Sequence, residues 1–95
     1  MSGLSVGFQS IFENGKLFMP TILKIQGFRF FFYSNEHLPI HVHIEKENKV
    51  AKFNLEPLEL IKSSRFNAAE LSQIRNLIES NKEIIKSKWN EYFNN

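Results

Sequence analysis

The chain has 95 residues, with twelve basic and ten acidic side chains and no cysteine. This length fits one domain, and the lack of cysteine excludes disulfides and thiolate zinc sites within it. No apolar run approaches the roughly 20 residues of a membrane helix, and no basic segment precedes an apolar one as in a secretory signal. We therefore expect a cytoplasmic protein without membrane association.

The first eighteen residues differ from the rest of the chain. Glycines and serines interrupt their few apolar side chains, and Glu13–Lys16, which reads ENGK, favours a hairpin turn. A dense hydrophobic pattern begins only at Met19. We predict that residues 1–18 are an N-terminal extension, with a small accessory hairpin as the alternative, and that residues 19–93 form the domain.

The part of the chain after Met19 has the two-residue periodicity of β-strands. Its candidate strands are Thr21–Gln26, Phe28–Ser34, Ile40–Lys46 and Val50–Leu55. Pro57 ends this series, and Leu58–Arg65 is ambiguous between a short strand and a helical turn. The pattern predicts an antiparallel meander of about four strands.

Helical signals begin at Asn67, which forms a capping-box pattern with Glu70. Apolar residues then recur on one helical face at Leu71, Ile74, Ile78, Ile85, Trp89 and Tyr92. A second capping-box pattern at Ser80–Glu83 favours a break near Ser80. We therefore predict two C-terminal helices packed on one face of the meander, which places the domain in the α+β class.

All three histidines lie between His37 and His43. Successive side chains of a strand point to opposite faces, so the β-branched residues of Ile40–Lys46 share one face while His41, His43 and Glu45 share the other. We therefore expect the histidines to point away from the core. The same alternation adds Arg29, Tyr33 and Lys52 to this polar face, with His37 in the loop above its edge.

These residue types suit three kinds of surface. The first is acid–base chemistry on a phosphodiester, with His41, His43, His37, Arg29 and Tyr33 as catalytic candidates and Lys52 and Glu45 as substrate-binding candidates. The second is a divalent-metal site whose candidate ligands are His37, His41, His43 and Glu45. The third is an ordinary solvated sheet face, on which imidazoles pair with neighbouring polar side chains.

The segment YSNEHLPIHVH, residues 33–43, resembles the hallmark of the bacterial family catalogued as domain of unknown function 4160. The resemblance extends from Met19 to about Phe93. Members typically read Pro-Pro-His, whereas Ile40 replaces the second proline here, a change that affects loop stiffness more than chemistry. The family's histidine motif maps onto His37, His41 and His43.

The resemblance implies a small protein encoded beside a second short domain, an arrangement similar to type II toxin–antitoxin pairs. It suggests a toxin-like or effector component with a small antitoxin-like protein from a neighbouring gene as its partner, and it assigns no reaction. The face that carries His41 and His43 adds our expectation that the component acts on nucleic acid, RNA in particular, and is masked by that partner. Because the chain contains no aspartate, we expect a ribonuclease-type activity that is independent of metal and of other cofactors. The alternatives are a non-catalytic protein-binding module and a metal-binding regulatory module.

Overall fold

The computed structural model describes residues 21–33 and 36–93 of the chain. Within these ranges, five strands form one antiparallel sheet in chain order. The elements are β1 (Thr21–Ile25), β2 (Phe28–Phe31), β3 (His41–Lys46), β4 (Lys49–Leu55), β5 (Leu58–Ser64), α1 (Ala68–Ser80) and α2 (Lys82–Phe93). The predicted α+β class and antiparallel meander are confirmed. The predicted extension, residues 1–18, lies outside the described residues.

The count of about four strands is corrected to five, because the ambiguous segment after Pro57 pairs with β4 as β5. A bulge interrupts the alternation of β5: Leu60 pairs with Phe53 but Lys62 pairs with Lys52, which leaves Ile61 as the extra residue. Without this bulge, Lys62 would fall on the core face of the sheet. The bulge instead returns it to the polar face.

The core lies between one face of the sheet and the two helices. Its buried residues include Phe28, Phe30, Phe32, Val42, Ile44, Phe53 and Leu55 from the sheet segment and Ile74, Ile78, Ile85 and Trp89 from the helices. The Phe32 and Trp89 rings meet edge to face with their centroids 5.2 Å apart. No helix in the described ranges is long and apolar enough to cross a membrane.

The predicted helix start and helix break are both confirmed. At the start of α1, the Asn67 side chain accepts a hydrogen bond from the Glu70 backbone N–H at 2.8 Å, and the Glu70 carboxylate accepts one from the Asn67 backbone N–H at 3.0 Å. The same carboxylate forms an ion pair with Lys49 of β4 at 2.7 Å. Helix α1 ends at Ser80, and the Asn81 side chain donates to the backbone carbonyl of Leu77.

Replacing Asn67 with alanine is expected to lower the free energy of unfolding by about 1 kcal/mol, because the N-cap acceptor is lost. Urea denaturation would measure this difference. Asn76→Ala is the matched control, since Asn76 is an exposed residue inside α1 and alanine has the higher helix propensity there. Equal destabilisation by the two changes would contradict the capping role.

Candidate metal centre

The predicted polar residues separate into two groups on the face opposite the core. Arg29 Nη1 lies 3.0 Å from Glu45 Oε2, and Arg29 Nε donates to Thr21 Oγ1 at 2.7 Å. This ion pair connects β2 with β3, and the structure does not bring Glu45 to the histidines as a ligand. Lys52 lies opposite His43 in the β3–β4 register.

His41 and His43 converge instead on a carboxylate that precedes β3. Oε2 of Glu36 lies 2.8 Å from Nε2 of His41 and 2.5 Å from Nε2 of His43. One ligand atom from each of these three residues lies within 4.8 Å of the others, and we call the three residues the Glu36 cluster. His37 is exposed and does not belong to it.

His41 is more buried than strand alternation predicts. Only 6% of its surface is exposed, so the expectation that both histidines point away from the core is wrong for His41. The reason is its position at the first residue of β3, where its ring lies 5.1 Å from that of Trp89 on α2. The His43 ring stacks on Phe31 with a centroid separation of 5.5 Å and meets Tyr33 edge-on at 4.6 Å.

The orientation of the His41 ring is set by the backbone. Nδ1 of His41 lies 2.8 Å from the carbonyl oxygen of Pro39, and because a carbonyl only accepts, Nδ1 must carry the hydrogen. In the neutral ring, Nε2 then holds a lone pair directed at Glu36. That contact is short, but its angles are not those of a hydrogen bond, and Nε2 is buried without a hydrogen-bond partner in the described structure.

Glu36 is held by the segment that follows β2. Its Oε1 accepts a hydrogen bond from the backbone N–H of Tyr33 at 3.2 Å, which leaves Oε2 for the histidines. Burial alone would raise the pKa of Glu36, but the contacts and charges of His41 and His43 outweigh burial and lower this pKa to about 2. A buried, ionised carboxylate therefore lies between two imidazoles.

Two grooves flank the Glu36 cluster. The first, which we call the aromatic groove, has a volume of about 330 Å³, and its walls include Phe31, Tyr33, His43, Lys52, Lys62 and Ser63. The second, the loop groove, has a volume of about 440 Å³, and its walls include Glu36, His37, His41, Lys52, Asn54 and Ile61. Lys52 lines both grooves, so the two grooves share this residue as a wall beside the cluster.

The sequence reasoning missed Glu36. Alternation along a strand locates His41 and His43 on one face, but it says nothing about a side chain in the turn before the strand. One sequence signal could have identified Glu36: it is the acidic residue directly before His37, in the short segment that leads into β3. A carboxylate within a few residues of a His-x-His pair is as strong a candidate ligand as Glu45 on the strand itself.

Comparison with known proteins gave one result. No curated protein and no solved structure matched the chain. A family model, Domain of unknown function (DUF4160), matches residues 27–90, which is about two thirds of the chain. This range contains the whole Glu36 cluster and extends from β2 into α2. As the resemblance predicted, the chain belongs to the DUF4160 family.

Proposed function

We propose that the Glu36 cluster binds a divalent transition-metal ion, zinc in particular. The ligands are Oε2 of Glu36 and the Nε2 atoms of His41 and His43. The observation that carries this proposal is geometric: Nε2 of His41 is buried without a well-aligned hydrogen bond in the described structure, and it lies 2.8 Å from Oε2 of Glu36, which also contacts His43.

The electrostatics of the cluster support a cation at its centre. Because Nδ1 of His41 carries the hydrogen that it donates to Pro39, Nε2 faces the negative oxygen of Glu36 either with a second proton, in the cationic ring, or with a lone pair, in the neutral ring. Such a buried contact is unfavourable unless a proton or a metal ion lies between the two atoms. Metal-bound histidines usually donate their other ring N–H to a carbonyl or carboxylate, as His41 donates to Pro39 here.

The types of the three ligand atoms and the distances between them are also compatible with a zinc ion. Two imidazoles and a carboxylate are common zinc ligands, with bonds of about 2.0–2.2 Å. Tetrahedral ligand atoms at that bond length lie about 3.3 Å apart, whereas Glu36 Oε2 lies 2.8 Å from His41 Nε2 and 2.5 Å from His43 Nε2. Binding therefore requires the carboxylate of Glu36 to move back by less than about 1 Å. It also requires all three ligand atoms, which now lie within 4.8 Å of one another, to settle at separations of about 3.3 Å.

Three protein ligands are typical of a catalytic zinc site, which keeps one coordination position for water or substrate. The two grooves give access to such a position, because Glu36 and His41 line the loop groove and His43 lines the aromatic groove. A metal ion held by the Glu36 cluster would lower the pKa of a water molecule bound in the open coordination position to about 7, and so support hydrolysis. We therefore propose a hydrolytic role.

A metal-independent mechanism is the second candidate. The contact between His43 Nε2 and Glu36 Oε2 is the kind that orients an imidazole for acid–base catalysis. This mechanism uses His41 and His43 as the acid and the base without metal. Activity that persists after treatment with a chelator would favour it over the metal centre.

We further infer that this site belongs to an effector protein that a small antitoxin-like partner masks. The family resemblance supports this role, and so does a site that opens into grooves on the polar face. A partner that covers these grooves would block access to the Glu36 cluster.

Zinc titration tests the metal centre. After removal of metal with a chelator, calorimetry should show one zinc ion bound per chain. His41→Ala and His43→Ala should each weaken zinc binding by more than about 100-fold, since even changes outside the direct ligands cost 10- to 100-fold. His37→Ala is the matched control and should retain the parent affinity, because His37 is exposed and outside the cluster.

Circular dichroism would verify that each variant folds, since His41 is buried. His43→Ala keeps the test valid if His41→Ala unfolds. The proposal is wrong if a folded His43→Ala protein binds zinc as tightly as the parent, or if His37→Ala weakens binding equally.

A further inference from the structure

We infer that the aromatic groove and the loop groove together bind one single strand of nucleic acid. This inference rests on the proposed metal centre, because it assigns the substrate of that same site. The strand would place a base against the aromatic groove and a phosphodiester beside Lys52, the residue that lines both grooves.

The first support is a pair of lysines that face each other across two strands. Lys52 of β4 and Lys62 of β5 are direct partners in the register, and like charges directly opposite each other destabilise a sheet. Neither lysine forms an ion pair with a carboxylate among the described residues. A phosphate between the two ammonium groups would offset their repulsion.

The second support is the aromatic wall across the same groove. Tyr33 is 37% exposed, and it lines the groove together with Phe31 and the ring of His43. Exposed aromatic rings provide stacking surfaces for unpaired bases of any sequence. The groove therefore offers a base-stacking surface on one side and two cations on the other, as a nucleotide requires.

The third support is the continuity of the polar row. His43, Lys52 and Lys62 are successive partners on β3, β4 and β5. Neighbouring strands lie about 4.8 Å apart, so this row spans about 10 Å. The rise per stacked nucleotide is about 3.4 Å. The row is thus long enough for more than one phosphate, which favours a strand over a mononucleotide.

The charge balance favours a phosphodiester even without metal, because the charges of Lys52 and Lys62 exceed that of Glu36, and a bound metal ion would increase this excess. Glu36 is the acidic residue among those that line the two grooves, and its single negative charge is exceeded by that of a divalent cation. With Lys52 and Lys62 added, the surface that faces the grooves is positive. An anionic strand would then pass over the metal centre rather than be repelled by Glu36.

Anisotropy of a short, fluorescein-labelled, single-stranded RNA tests this inference. The full-length protein is treated with chelator so that binding is measured without metal, at several salt concentrations. Lys52→Gln and Lys62→Gln should each reduce the slope of log affinity against log salt by about 0.7, the value for one lost phosphate contact. Tyr33→Leu should weaken binding about 10-fold and leave the slope unchanged.

Lys88→Gln is the matched control. Lys88 lies on α2, and its exposed ion pair with Glu91 contributes little to stability. We expect this variant to retain both the parent affinity and the parent slope.

Three outcomes would overturn the inference: an unchanged slope in Lys62→Gln, an equal loss in Lys88→Gln, or equal affinity for a duplex of the same sequence. Single-stranded DNA that binds like RNA supports recognition through the shared phosphates and bases, whereas weaker DNA binding assigns the site to RNA. Zinc binding is measured separately. If the protein binds zinc but shows no lysine-dependent RNA binding, only the inference of nucleic-acid binding is refuted. If it binds RNA through the lysines but does not bind zinc, only the metal centre is refuted.

Discussion

Replacing Trp89 with alanine is expected to lower the free energy of unfolding by about 3–5 kcal/mol. Trp89 is 1% exposed, and its ring packs against Phe32, Phe93 and His41 at centroid separations of 5.2, 4.5 and 5.1 Å. Alanine would leave a cavity where helix α2 meets both the sheet and the Glu36 cluster. Because small domains are stable by about 5–15 kcal/mol, this one change removes much of the total.

Urea denaturation followed by far-ultraviolet circular dichroism would measure the loss. Trp89→Phe is the matched control, because it keeps an aromatic ring in the core and should cost clearly less than alanine. A Trp89→Ala protein that melts within a few degrees of the parent would show that α2 does not dock as the structure describes.

Zinc is expected to stabilise the parent protein strongly and the Glu36→Gln protein very little. A ligand that binds only the folded state stabilises it by about 4 kcal/mol when its free concentration is about 1,000 times Kd. Glutamine has the shape of glutamate but no negative charge. The cluster would then keep its two imidazoles but lose the charge that offsets the cation. Thermal melts with and without zinc would measure the difference.

Glu45→Gln is the matched control for this prediction. It is the same chemical change on β3, at a carboxylate that pairs with Arg29 instead of the histidines, so the zinc effect should persist. The value of about 4 kcal/mol is an upper value, because all three ligands lie within residues 36–43 and an unfolded chain retains some affinity for metal. An equal rise in melting temperature for the parent and Glu36→Gln would exclude Glu36 as a ligand.

Local signals made most of the fold predictable. The alternation of β2, β3 and β4 and the capping box at Asn67 act over a few residues, so the sequence shows them directly. The segment of β5 was ambiguous because the bulge at Ile61 breaks the alternation on which the prediction relies. A bulge is specified by pairing with a neighbouring strand, and periodicity within one segment does not reveal it.

The candidate site was predictable only in part, for the same reason. Strand periodicity placed His41 and His43 together, and the structure confirms that their rings are neighbours, with centroids 5.3 Å apart. The burial of His41 depends on Trp89, which lies far along the chain, and no local pattern contains that contact. The approach of Glu36 depends on how the turn before β3 closes. The sequence does not show this closure, so it does not reveal that Glu36 reaches the two strand histidines and its neighbour His37 does not.

The order of the strands places the two histidines on a central strand and Lys62 on an edge strand. His41 and His43 lie on the middle strand, which is hydrogen-bonded to β2 on one side and β4 on the other. Lys62 lies on β5, whose second edge pairs with no other described strand. Edge strands open by local fluctuation at lower free energy than central ones. The two histidines of the proposed metal centre are thus on a central strand, whereas Lys62 lies on an edge strand, where a shift to fit the proposed nucleic-acid strand would leave the histidines undisturbed.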